Sequence, residues 1–393
     1  MQEFKKIVLK PGKEDALKRF HPWVFSGAIL NIEDGISEGD IVNIYSSKRS
    51  YLGTGHFQKG SIAIKVFSFE KLAIDNDFWL SKITDAYLLR QTLGLTDNIN
   101  TNSYRLVFGE ADGLPGLIID FYNGTAVLQC RSVGMYNLRL VFTEILKTLF
   151  KEKLKAVYDK SNEVLPEDYK TTDCLLWGKP DEDFITENGI NFVVDWESGQ
   201  KTGFFIDQRE NRELLKKYSQ GKTVLNTYCY TGGFSVYALN GGASKVVSVD
   251  SSSKAVELTR KNITLNGFDN SNHEEHCEDV KKYFKESDEC FDIIILDPPA
   301  FAKNNAHKHN ALMAYKQLNI IALKKINSGG LLFTFSCSQA IDRYSFNSIL
   351  MAAALEVGRN VKILYQLSQP SDHPVSLFHP EGEYLKGLVL QVI

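Results

Sequence analysis

Hydrophobic positions along the chain fall into three regimes. Over the first 70 or so residues, short alternating apolar runs at 6–9, 40–45, 51–57 and 61–67 are set apart by turn residues that include Gly12, Gly35, Gly39 and Gly60. A period of two interrupted by such residues predicts strands, and this many in so short a stretch predicts a small barrel or compact sheet. Near residue 72 the period lengthens. Phe78, Leu80, Ile83, Ala86, Tyr87 and Leu89 recur every three or four residues, which predicts a helix within 72–98. Strand-like segments at 104–108, 117–122 and 125–129, one amphipathic stretch at 135–150 and a strand at 156–158 carry this α+β pattern to about residue 185.

From about residue 189, strands and helices alternate. Strands are predicted at 223–227, 245–249, 291–296 and 330–335, with helices at 210–218, 233–239, 254–266 and 311–325. Alternation of this kind predicts a parallel sheet wrapped by helices on both faces, with ligands bound beyond the carboxyl ends of its strands. The expected organisation is an N-terminal β domain over 1–71, a central α+β domain over 72–185 and an α/β domain over 186–393. A length of 393 residues suits two or three domains.

Composition changes this picture little. Hydrophobic residues are 43% and charged residues 24%, ordinary for a globular protein. No apolar run nears the roughly 18–20 residues that cross a bilayer, and the first ten residues lack the apolar core of a secretory signal, so a cytoplasmic protein without a membrane partner is expected. The net charge is −3, and residues 1–70 hold 10 Lys/Arg against 8 Asp/Glu, so any contact with a polyanion must be local. The six cysteines include no CxxC pair, which argues against a disulfide scaffold or zinc ribbon. His273 and His276 stand beside Cys277 without a second ligand cluster, and no metal is expected.

Candidate chemistry follows the strand ends. After the strand at 223–227 comes NTYCYTGGF (226–234), whose paired glycines, Gly232 and Gly233, let backbone approach a ligand at a helix start. It lacks the third glycine of a dinucleotide fingerprint, which weakens a nicotinamide-cofactor reading. Asp250, 18 residues past Gly232, ends the next strand, where a carboxylate can accept from a ribose diol; strand-end acids also arise by chance, and both readings stay open. The strand at 291–296 runs into Asp297-Pro298-Pro299-Ala300-Phe301. Two prolines stiffen the chain and can wall a pocket for a planar base, although a plain turn would look the same. Cys337 ends the following strand, 40 residues after Asp297. A cysteine among apolar residues is usually inert core, but at a strand's carboxyl end between two serines it can be exposed and become a thiolate near positive charge. Upstream, 201–212 mixes Lys201, Arg209 and Arg212 with two phenylalanines, and a guanidinium there could pair with a ligand carboxylate.

These segments together resemble class I S-adenosylmethionine-dependent methyltransferases. NTYCYTGGF, the SVD ending at Asp250, ILDPPAF (295–301) and FTFSCS (333–338) are similar to motifs of that class. With KTGFFIDQR (201–209), GKEDALKRFHPWVFSGAI (12–29), GEADGLPGLIID (109–120) and DHPVSLFHPEGEYLKGL (372–388), the wider pattern resembles the family of large-subunit ribosomal RNA cytosine-5 methyltransferase I. The resemblance implies an N-terminal PUA barrel that binds RNA, a central α+β domain and a Rossmann-like catalytic domain. It implies S-adenosylmethionine as cofactor, with Asn226, Tyr228, Tyr230, Thr231 and Gly232 holding its amino-acid end and Gln208 and Arg209 closing over it. By the same resemblance Asp250 and Ser251 would hold the ribose and Asp279 and Val280 the adenine, with Asp297 and Pro298 between cofactor and target base. Cys337 would be the nucleophile. Relatives often carry a basic residue where Ala300 stands, and Lys303 is a substitute for it toward RNA. Arg19, His21 and Trp23 are RNA-contact candidates of the PUA domain, with a core or turn role for Trp23 an equal alternative.

The activity implied is methyl transfer to carbon 5 of a cytidine in RNA, 23S ribosomal RNA by family, through a covalent Cys337 adduct assisted by Asp297. The rivals are an amino-methyltransferase, which needs no cysteine, and an inactive RNA-binding assembly protein, against which Asp250, Asp297 and Cys337 speak. A homodimer stays open, since oligomeric state is not written in these motifs.

Overall fold

The computed structural model describes residues 3–180, 184–268, 270–302 and 305–393; Lys303 lies outside them. The chain forms two compact units. One comprises Met1–Ile185, Val194–Ile206 and Ser371–Gly382, the other Thr186–Val193, Asp207–Pro370 and Glu383–Ile393.

The first unit holds two sheets. Six short strands over residues 5–68 form a mixed sheet in which Lys5–Leu9 pairs antiparallel with Ile29–Ile32 and parallel with Ile41–Tyr45. The predicted alternation is visible in its core, where Ile7, Leu9, Val42, Ile44, Ile64 and Val66 are buried. The second sheet has five strands, four of them (Ser103–Phe108, Leu117–Tyr122, Thr125–Cys130 and Ala156–Asp159) where the pattern predicts strands. The helix Asn76–Thr92 shares a core with this sheet; it starts at Asp75, whose carboxylate accepts the Phe78 N–H at 3.0 Å. One expectation is corrected here. The stretch read as a single amphipathic segment over 135–150 is two helices, Val133–Asn137 and Arg139–Phe150, which meet at Leu138. Both keep apolar residues inward, so the periodicity hardly registers the break.

The turn-rich GEADGLPG segment folds around an ion pair. Asp112 accepts from both terminal nitrogens of Arg90 at 2.6 and 2.8 Å and from the Phe108 N–H, and both side chains are buried. Glu110 accepts from the indole N–H of Trp23 at 2.9 Å, so half-buried Trp23 has a structural partner within this unit.

The second unit is built on a seven-stranded sheet. Its strands are β1 (Thr223–Thr227), β2 (Lys245–Asp250), β3 (His273–Cys277), β4 (Phe291–Leu296), β5 (Ile326–Ser336), β6 (Val361–Leu367) and β7 (Lys386–Val392). Their spatial order is β3-β2-β1-β4-β5-β7-β6. The order reverses between β1 and β4, which opens a crevice at the carboxyl ends there. Near-continuous apolar sequence in β4 (FDIIIL) and in the centre of β5 matches burial on both faces, with Ile294, Ile295, Leu296, Leu332 and Phe333 at 0% exposure.

The expectation of a parallel sheet needs correction. β7 runs antiparallel to both β5 and β6. A strand buried on both faces reads as the same apolar run in either direction, so the pattern could not reveal this. The consequence is local: β7 brings its first residue, Lys386, to the end of the sheet where β5 finishes, opposite Ser336.

Candidate functional site

Register decides which side chains share an edge. Thr227 of β1 pairs with Val249 of β2 and with Leu296 of β4, and Leu296 pairs with Thr334 of β5. The residues just beyond these pairs, Tyr228, Asp250, Asp297 and Cys337, therefore all emerge at one end of the sheet.

The loop after β1 is unusual in its backbone. Tyr228, Tyr230 and Gly232 all have positive φ, at 55°, 49° and 73°. Two non-glycine residues in this region cost about 1 kcal/mol or more each and persist only where surroundings enforce them. The enforcing bonds are present. Asp250 Oδ2 accepts the Tyr230 N–H at 3.0 Å, Thr259 donates its hydroxyl to the Tyr230 carbonyl at 3.0 Å, and Asn262 donates to the Thr231 carbonyl at 2.7 Å. Gly232 allows close packing, since a Cβ on it would stand 2.6 Å from the Thr259 methyl. Asn226 is buried under the loop, and its amide donates to Ser235 at 2.9 Å. A hydroxyl chain continues from Ser235 to Ser248 at 2.6 Å and to His273 Nε2 at 2.8 Å.

The two acids expected near a nucleoside both act on Tyr228. Burial, then the charges of Asp279 and Asp250, push the Tyr228 hydroxyl up to about 12, so it stays neutral. Asp250 is partly exposed. Its oxygens accept the N–H groups of Tyr230 and Ser252, and each retains acceptor capacity for a diol. Ser251 is exposed beside it. Asp279 caps the helix Val280–Glu286 by accepting the Lys281 and Lys282 N–H groups through Oδ1, with its side chain exposed and Val280 buried behind it. A strained glycine-bearing loop, a strand-end carboxylate with spare acceptor capacity and an exposed helix-capping acid would suit the amino-acid, ribose and adenine parts of S-adenosylmethionine.

Cys337 lies against the segment that follows Asp297. Cys337 is partly exposed, and its Sγ lies 4.0 Å from the carbonyl oxygen of Pro298, so the thiol faces the DPP segment. Asp297 is half-buried and Oδ2 accepts from Gln208 Nε2 at 2.9 Å. The Gln208 carbonyl oxygen accepts from Asn211 at 2.6 Å, so this amide is engaged on both sides. Arg209 is buried at the start of the helix Arg209–Tyr218. In the first unit, Lys201 stacks on Phe205, its Nζ 4.3 Å from the ring centroid.

Arg212, named with Arg209 as a guanidinium for a ligand carboxylate, instead forms a buried bidentate pair with Glu187 at 2.8 and 2.7 Å, and Gly233 sits where a Cβ would be 3.1 Å from its Cδ. Sequence reasoning gave no role to several other residues here. Tyr384 donates to Asp207 Oδ2 at 2.6 Å. Tyr315, held neutral with its hydroxyl pushed up to about 12 chiefly by burial, is 3.1 Å from the Ser338 hydroxyl. Lys386 Nζ reaches the Ser338 carbonyl at 2.8 Å. Only the YLKGL motif hinted at the last.

Of the RNA-contact candidates, Arg19 is exposed after the short helix Asp15–Lys18, while His21 and Trp23 are half-buried in edge-to-face contact with centroids 6.0 Å apart. Lys303 is outside the described residues. Among the described residues, no group of His, Cys, Asp or Glu could hold a metal ion, and no helix is long and apolar enough to cross a membrane.

Comparison with known proteins adds independent findings. A family model described as S-adenosylmethionine-dependent methyltransferase matches residues 117–362, and one described as PUA-like domain matches residues 7–69. The chain is 40% identical over 395 residues to the Ribosomal RNA large subunit methyltransferase I of Aeromonas hydrophila, covering 98% of each chain. It is 38% identical over 397 residues to the protein of that name from Escherichia coli O139:H28, covering 99% of each. Among solved structures, a putative SAM-dependent methyltransferase from Streptococcus mutans superposes with a TM-score of 0.85 at 25% identity, covering 98% of this chain and 99% of that one.

Proposed function

Since the chain belongs to the S-adenosylmethionine-dependent methyltransferases, and among them to the family of the ribosomal RNA large subunit methyltransferase I proteins, we propose that it methylates carbon 5 of a cytosine in 23S ribosomal RNA, in the cytoplasm, through a covalent bond to Cys337. The observation that carries this reading is the Cys337 thiol, partly exposed at the end of β5 and turned toward Pro298 at the end of β4, on the same sheet edge as Asp250.

When bound, S-adenosylmethionine supplies an electrophilic methyl group on a sulfonium sulfur. The chain's own residues do the rest. The β1 loop, Asp250 and Asp279 bind the two ends of that molecule. Carbon 5 of cytosine is a weak nucleophile, so the Cys337 thiolate adds to carbon 6; the carbon–sulfur bond forms as the ring electrons shift toward carbon 5 and the ring nitrogen. That nitrogen takes up a proton from solvent as electron density builds on it, and the Asp297 carboxylate, kept aimed by Gln208, accepts a hydrogen bond from the resulting N–H. After methylation, a general base takes the carbon-5 proton, that bonding pair forms the 5,6 double bond, Cys337 leaves with the carbon–sulfur pair as thiolate, and the ring nitrogen returns its proton to solvent. A base in a helix cannot reach such a pocket, so the target must be unstacked. The PUA-like domain, with Arg19 exposed after its short helix, is the first unit's platform for RNA.

The test is a covalent trap. RNA containing 5-fluorocytidine has no carbon-5 proton to lose, so a denaturation-stable complex should accumulate with the native protein and vanish with Cys337→Ala. Full methyl transfer by Cys337→Ala would instead favour an amino-methyltransferase.

A further inference from the structure

Lys386 is 3% exposed, yet its ammonium has no carboxylate partner among the described residues. Its Nζ donates to two neutral acceptors, the carbonyls of Ser338 and Tyr384, each at 2.8 Å. The nearest acids are already matched: Asp342 binds Lys308 at 2.8 Å and Glu383 binds Arg343 at 3.0 Å. An ammonium removed from water and left with carbonyls alone is costly, and it strongly favours an anion nearby. The group placed to supply one is Cys337. Lys386 is in register with Ser336, one residue before the thiol, and bonds the carbonyl one residue after it.

We propose that Lys386 is a positioning residue whose buried ammonium holds Cys337 as the thiolate and braces the 336–338 turn that aims it. This rests on the reading of Cys337 as nucleophile. The arrangement explains an otherwise unrewarded buried charge, and the antiparallel run of β7 is what sets its first residue opposite Ser336. Burial lowers the Lys386 ammonium to about 8, the Cys337 charge working the other way, so it remains predominantly charged at neutral pH. The groups acting on it are Cys337, Glu383, Arg343 and Asp342. A cation close to a thiol lowers its pKa, and wherever the thiol form predominates, each fall of about 1 in that pKa raises the thiolate population about tenfold.

The experiment measures alkylation of each cysteine by peptide mass spectrometry, on the full-length protein with iodoacetate (carboxymethylation) or neutral iodoacetamide (carbamidomethylation), between about pH 6 and 9. Exposed Cys277 and Cys290 serve as internal references. In the native protein the Cys337 midpoint should lie below theirs. In Lys386→Met, Cys337 should react about tenfold more slowly at neutral pH with the references unchanged, and Lys386→Arg should restore most of the rate. A Cys337 profile that is the same in native protein and Lys386→Met overturns the proposal. Should that variant not fold, as judged by loss of S-adenosylmethionine binding in calorimetry, the native comparison decides: a Cys337 midpoint at or above that of Cys290 overturns it. The underlying reading fails separately, through methyl transfer by Cys337→Ala, whatever the alkylation profile.

Discussion

Gln208 Nε2 donates to Asp297 Oδ2 at 2.9 Å, joining the start of the helix Arg209–Tyr218 to the end of β4. The bond stabilises the ionised carboxylate and fixes its orientation. Replacing Gln208 with alanine should therefore reduce kcat by about ten- to a hundredfold while leaving S-adenosylmethionine affinity nearly unchanged. Steady-state methylation with calorimetric binding checks this. A large loss of affinity with unchanged kcat would mean that Gln208 contacts the methyl donor instead.

Gly232 is the tight point of the loop after β1, the proposed donor cradle. Alanine there must adopt a φ near 73° and press its Cβ to within 2.6 Å of Thr259. The backbone cost of about 1–2 kcal/mol, with displacement of the loop, should weaken S-adenosylmethionine binding by at least about tenfold. Native affinity in Gly232→Ala would show that the loop's conformation does not matter for binding.

Beneath that loop, the Arg212–Glu187 pair is buried on both sides, with side-chain exposures of 3% and 0%. Removing one partner strands the other's charge, so Arg212→Met should destabilise the protein by about 3–5 kcal/mol in urea unfolding. A change below about 1 kcal/mol would mean that water or another group takes over the Glu187 charge.

His273 should make the protein acid-sensitive. Burial holds the ring down to about 4, against about 6.5 when exposed, while Glu275 and Glu274 pull weakly the other way. Between those values the unfolded chain binds more protons than the folded one, so stability falls as pH drops from about 6.5 toward 4. Melting temperatures at several pH values should show this slope in the native protein and a flatter one in His273→Gln. Equal slopes in the two would assign acid lability to other groups.

Much of the site was legible because its chemistry sits in contiguous motifs. Asn226 to Gly232, Asp250, Asp297-Pro298 and Cys337 each follow a strand that hydrophobic periodicity alone locates, and strand ends are where such sheets bind ligands. Partners that come from distant sequence were not legible. Glu187 with Arg212, Asp207 with Tyr384 and Lys386 with the Ser338 carbonyl are separated by 25 to 177 residues, and no local pattern encodes their meeting.

By itself the amino-acid sequence determined the alternation of strands and helices, the glycine-bearing loop after β1 and the identity of the acid and thiol at the strand ends, because these depend on residue type and short-range spacing. Tertiary structure alone decided that β7 runs antiparallel, that the Gln208 amide is bound to Asp297, and that a lysine is buried without a carboxylate next to the turn holding Cys337. Strand direction and the pairing of buried charges are settled by which surfaces meet when the chain packs, and a run of apolar residues has the same appearance whichever way it enters the sheet.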